Sequence, residues 1–95
     1  MTEKRRYRNP RMIVSALGRM GQQVGLMTIR ERAKVLGVSY GHLAECERGG
    51  CVPSPELQDR MAKAYERPLE HIERAAKLDR EGYARRITEH ARDLI

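Results

Sequence analysis

The sequence predicts an all-α fold, a compact bundle of five short helices followed by an additional C-terminal helical segment. Three observations predict it. Apolar residues recur at steps of three and four, and each such stretch is bounded by residues that cap or break helices. The chain has no Phe and no Trp, so its core rests on Leu, Ile, Val, Ala, Met and Tyr, a set that suits helices better than a β-sandwich. Its 95 residues make one domain, and a domain of this size buries only roughly 60–65% of the surface its unfolded chain exposes. The core must be small.

Residues 1–9 are polar and basic without apolar periodicity, which predicts a flexible arm. Asn9 followed by Pro10 marks a helix start, and Ile13, Leu17, Met20 and Val24 then line one face of a first helix that Gly25 ends. Gly18 and Gly21 weaken that helix by up to about 1 kcal/mol each, and they suit a close contact with a neighbour. Thr28 caps a second helix over 28–36, in which Ala33 is small enough for close packing, and Gly37 suits the left-handed turn that follows. Val38 is an apolar plug, Ser39 a second cap, and Tyr40–Arg48 a third helix with Leu43 and Cys46 facing inward. Helix, tight turn and helix in this order form a unit of the kind that docks in DNA.

A loop over 49–53 leads to Ser54-Pro55-Glu56, which is a cap, a proline at the first helical position and an acid that complements the helix dipole. Leu57, Met61, Ala64 and Tyr65 give the stripe of a fourth helix, stopped by Pro68, and a fifth helix begins near Leu69 and runs through Ile72 and Ala76. The bundle thus spans residues 10–78. Beyond it, 79–95 keeps helical character with Tyr83, Ile87, Ala91 and Leu94 along one side, and Gly82 is a place for a break or bend. That apolar side needs cover. The first helix of the same chain offers it, as does the same tail of a second copy, and pairing with a second copy is the favoured expectation.

The net charge of +6 is unevenly placed. Lys4, Arg5, Arg6 and Arg8 against Glu3 give residues 1–8 a charge of +3, residues 9–52 carry another +3, and residues 53–95 balance nine basic groups with nine acidic ones. A basic half beside a neutral half suits a polyanion-binding face, a property shared by ribosome-associated and membrane-surface proteins. No apolar run approaches the roughly 20 residues that span a bilayer, and no signal-peptide pattern opens the chain, so a cytoplasmic, nucleoid-associated protein without membrane contact is expected.

Cys46 and Cys51 are too few for a disulfide framework, and none of His42, His71 and His90 is read as standing at ligand spacing from them, so neither metal nor cofactor is expected. Cys46 reads as a small inward-facing residue and Cys51 as a loop thiol. The sequence offers no nucleophile and base grouping and no phosphate-binding glycine loop, which argues against an enzyme.

The segment A-K-V-L-G-V-S at 33–39, the E-R-G at 47–49, and P-S-x-E-L with M-A-K-A over 53–64 carry a resemblance to the Xre type of lambda-repressor-like helix-turn-helix proteins, covering roughly residues 10–78. The resemblance implies a five-helix domain acting as a homodimeric transcriptional regulator on double-stranded DNA. It implies base reading at Tyr40, Gly41, Ala44 and Glu45, and phosphate positioning near Thr28, Ile29 and Arg48.

His42 joins the first set as a polar neighbour, and Arg30, Lys34 and the amides at Ser39 join the second by charge and by the dipole of a helix start. Each has a plainer account. His42 and the Arg30 and Lys34 face are equally explained by solvation, Glu45 by pairing with Arg48 at i+3, Glu47 by holding the end of the third helix, and the arm by solubility rather than minor-groove contact. Gly41 and Ala44 offer bases no polar group, Ile29 cannot hydrogen-bond a phosphate, and Glu45 repels one. The same scaffold therefore also suits a protein-interaction module, or an antitoxin-like autorepressor with a protein partner.

Overall fold

Five helices and no strand form the described part of the chain, residues 14–93 of a computed structural model: α1 (Ala16–Gln23), α2 (Ile29–Leu36), α3 (Tyr40–Arg48), α4 (Pro55–Ala64) and α5 (Leu69–Asp93). Each of the first four helices opens on a hydroxyl cap. Ser15, Thr28, Ser39 and Ser54 accept from the backbone N–H three residues on, and Glu31 answers Thr28 by accepting from its N–H, which completes a capping box. Gly37 (φ 73°) and Gly49 (φ 93°) close α2 and α3 in the left-handed region, where a Cβ is costly.

Three boundaries differ from expectation. The first helix opens at Ala16 on Ser15 and does not run on from Pro10, since Val14 and Ser15 are not helical; residues 9–13 lie outside the described part, as do Lys4, Arg5, Arg6, Arg8 and Leu94. α4 stops at Ala64, before Pro68 acts, because Glu66 turns left-handed (φ 57°) and the Arg67 N–H returns to the Ala62 carbonyl at 3.0 Å. The tail is not a separate segment. α5 runs unbroken through Leu78 and Gly82 for 25 residues, about 37 Å at 1.5 Å per residue, so the expected edge of the bundle falls inside one helix.

Every helix sends at least one fully buried apolar side chain to a common centre: Leu17, Leu36, Leu43, Met61 and Ile72, joined by Tyr65 at the end of α4. Burial of side chains of this size stabilises by roughly 1.5–3 kcal/mol each.

Two polar clamps fix the helices around that centre. Arg32 and Glu47 are both buried, and the guanidinium meets the carboxylate as a fork, Nε to Oε2 at 2.8 Å and Nη2 to Oε1 at 2.9 Å. Arg32 Nη1 also donates to the Leu26 and Met27 carbonyls at 2.8 and 3.0 Å. Glu47 thus does more than hold the end of α3, because it ties α3 to α2 through Arg32, which in turn holds the turn before α2. Gly21 of α1 leaves room for the clamp, since a Cβ there would strike Arg32 Cδ.

The second clamp is Asp79 of α5, whose carboxylate accepts from the Ala16 and Leu17 N–H groups at 2.8 and 3.1 Å and so caps α1 from 62 and 63 residues away. Asp79→Ala is expected to cost about 1–2 kcal/mol of stability, measured by urea unfolding. Burial raises the Asp79 pKa, against the lowering by those two N–H groups. The folded state therefore holds this proton to higher pH than the unfolded chain does, and the group's contribution falls as pH rises through the folded-state pKa. Asp79→Asn removes that part of the slope of stability against pH.

Candidate nucleic-acid interface

A side-chain contact links the starts of α2 and α3. Tyr40 is half-exposed at the first position of α3, and the Arg30 guanidinium, from the first turn of α2, sits over its ring at 5.3 Å from the centroid. The contact joins the start of α2, which holds Thr28 and Arg30, to the start of α3, which holds Ser39, Tyr40 and Gly41, five of the residues singled out by sequence. In each first turn only one N–H is taken by the cap, Glu31 by Thr28 and His42 by Ser39. The remaining first-turn amides carry the positive end of the helix dipole.

Lys34 is exposed one turn after Arg30, and neither cation makes an ion pair among the described residues. Gly41 is exposed with open space where a Cβ would stand. Ile29 is half-buried and packs against the core, so it serves the fold rather than an anion. Ala44 and Glu45 are half-buried further along α3.

Glu45 and Arg48 form an ion pair. Arg48 is further engaged by the Tyr83 ring, 5.9 Å from its guanidinium carbon, while Arg86 of α5 donates to the Arg48 carbonyl at 3.1 Å. The C-terminal end of α3 is thus held against α5, and the Arg48 charge is shared between Glu45 and Tyr83. Exposed pairs of this kind contribute little to stability, about 0–1 kcal/mol.

The proposed interface on the tail is divided by the same contacts. Tyr83 is half-buried against its own chain, between Arg48 and Arg80, whereas Ile87 is half-exposed and Ala91 exposed.

Two features escaped the sequence reading. Arg80 Nη1 donates to both the Gly49 and Gly50 carbonyls at 3.1 Å, so a cation from α5 closes the C-terminus of α3. The other is a cluster that corrects the expectation about the cysteines. His42 and Cys46 stand one helical turn apart, the loop after Gly49 returns Cys51 beside them, and the three ligand atoms lie within 4.8 Å of one another. Burial, followed by the hydrogen bond to Cys51, pushes the Cys46 thiol up to about 12. The i, i+4 spacing of His42 and Cys46 was the available signal.

No family model, curated protein or solved structure matches the chain. No helix of the described residues is long and apolar enough to cross a membrane.

Proposed function

We propose that the chain is a sequence-specific double-stranded DNA-binding transcriptional regulator of the lambda-repressor-like kind, acting in the cytoplasm as a homodimeric repressor with α3 in the major groove. The observation that carries the proposal is the juxtaposition of the two helix N-termini through Arg30 and Tyr40. Amides at the start of α2 and the cations Arg30 and Lys34 would meet phosphates, while the start of α3 would meet base edges, the arrangement in which a helix enters a groove about 12 Å wide. The basic excess of residues 1–52 supports the same reading.

Tyr40 carries most of the base reading in this proposal. Glu45 is paired with Arg48, and His42 stands beside Cys46. Specificity then draws partly on DNA shape. The test is a salt titration of binding to a DNA fragment selected by the protein. Arg30→Ala and Lys34→Ala are each expected to lower the slope of log affinity against log salt by about 1. Tyr40→Ala is expected to cost about 1–3 kcal/mol and to relax sequence preference. Slopes unchanged in both cation variants would remove α2 from the interface.

A second reading, a protein-interaction module or antitoxin-like autorepressor, is favoured by the scarcity of polar groups at Gly41 and Ala44 and by the acid at Glu45. A stoichiometric protein partner captured without protected DNA would support it.

A further inference from the structure

We propose that His42, Cys46 and Cys51 form a zinc site, with two thiolates and one imidazole as protein ligands and water in the fourth position. The proposal does not depend on the DNA-binding reading. In tetrahedral zinc sites Zn–S is about 2.3 Å and Zn–N about 2.0–2.1 Å, which sets neighbouring ligand atoms about 3.5–3.8 Å apart. Here Cys46 Sγ lies 3.3 Å from Cys51 Sγ and 3.9 Å from His42 Nε2. These two edges lie within a few tenths of an ångström of the tetrahedral values, and the third, between Cys51 and His42, is within 4.8 Å and closes by rotation of the exposed His42 side chain.

The backbone holds this arrangement without the ion. His42 and Cys46 share one face of α3, a turn apart, as i, i+4 ligands must. The left-handed Gly49 reverses the chain, its N–H donates to the Cys46 carbonyl at 3.1 Å, and the Gly50 N–H donates to the Glu45 carbonyl at 3.0 Å. Arg80 pins the same turn from α5 through the Gly49 and Gly50 carbonyls. Cys51 is therefore delivered to Cys46 by a turn fixed from two helices.

The donor set selects the ion. Two thiolates and an imidazole are soft to borderline ligands, which suit zinc and disfavour magnesium, calcium and manganese. Both cysteines are free thiols, so binding releases their two protons and leaves a site with no net charge. Cys46 is buried while His42 is exposed, which places the open fourth position on the solvent side. A bound ion would tie the loop between α3 and α4 to the third helix and fix the His42 ring.

The test uses the full chain, reduced and free of oxygen, titrated with cobalt(II) and then with zinc against a chromophoric chelator, with no DNA present. The expected result is one equivalent of cobalt with the visible bands of tetrahedral thiolate coordination, displaced by zinc. Cys51→Ser, in the loop, and His42→Ala, at an exposed position, are each expected to weaken binding by at least roughly tenfold. Helical circular dichroism checks that both variants remain folded. A reduced chain without a saturable tetrahedral cobalt spectrum overturns the proposal, and so does wild-type affinity in either variant. A Cys46–Cys51 disulfide formed in air, with no metal bound by the reduced chain, also overturns it.

Discussion

Glu47→Ala is expected to destabilise the domain by about 3–5 kcal/mol, because it leaves the Arg32 guanidinium buried without its counter-charge. A domain of this size has a total stability of about 5–15 kcal/mol, so such a loss would remove a large fraction of it. Chemical unfolding followed by helical circular dichroism reads it directly. The origin of the loss is the stranded charge rather than the absent ion pair, and a double variant separates the two. Replacing both partners with apolar residues of similar length, Arg32→Met with Glu47→Leu, should recover a large part of the loss, since a buried pair gains from attraction little more than it loses to desolvation. If Glu47→Ala costs less than about 1 kcal/mol, the fork is not what holds α2 to α3.

Gly49→Ala is expected to cost about 2–5 kcal/mol from two separate causes. A left-handed φ of 93° costs a residue with a Cβ roughly 1–2 kcal/mol. The added carbon would also strike the Asp79 carbonyl oxygen and stand 2.8 Å from Tyr83 Cβ, an overpacking worth roughly 1–3 kcal/mol more. Gly25 separates these causes, for it has the same φ of 93° with nothing within 4 Å of an added Cβ. Gly25→Ala should carry only the conformational cost. The difference between the two variants, measured by unfolding, is the value of the close approach between α3 and α5. Equal costs would mean that α5 is not packed on the end of α3.

The parts of this fold that were legible in the sequence are those settled within a few residues. Thr28, Ser39 and Ser54 cap helices because a hydroxyl reaches an amide three positions on, and Gly37 ends α2 because a left-handed residue is cheapest without a Cβ. The all-helical class, the inward positions Leu43 and Cys46 and the pairing of Glu45 with Arg48 follow from the same short-range periodicity.

What sequence reading missed depends on partners brought close by folding. Arg32 and Glu47 are 15 residues apart, and Asp79 caps a helix more than 60 residues before it. Neither pairing leaves a local pattern. The start of α1 is of this kind too: the helix opens on Ser15, whose Oγ meets the Gly18 amide, and Asp79 covers its first turn from α5, whereas Asn9 and Pro10 lie outside the described residues. Cys51 belongs to the same class, since only the turn at Gly49 and Gly50 returns it to Cys46.

Of the candidate interface, charge and helix position were readable, and the coupling of Arg30 to Tyr40 across the turn was not. That coupling matters to the proposed function because it links a cation of α2 to the side chain proposed to read bases.

The most direct measurement is selection of bound duplexes from a random DNA pool by the full-length chain, followed by footprinting on the enriched sequence. The account predicts enrichment of a two-fold symmetric site with half-sites about 34 Å apart, one turn of duplex. It also predicts that Tyr40→Ala relaxes the preference while leaving salt-dependent binding in place. A pool that stays random, with micromolar or weaker affinity for every sequence and indifference to Tyr40→Ala, would contradict it.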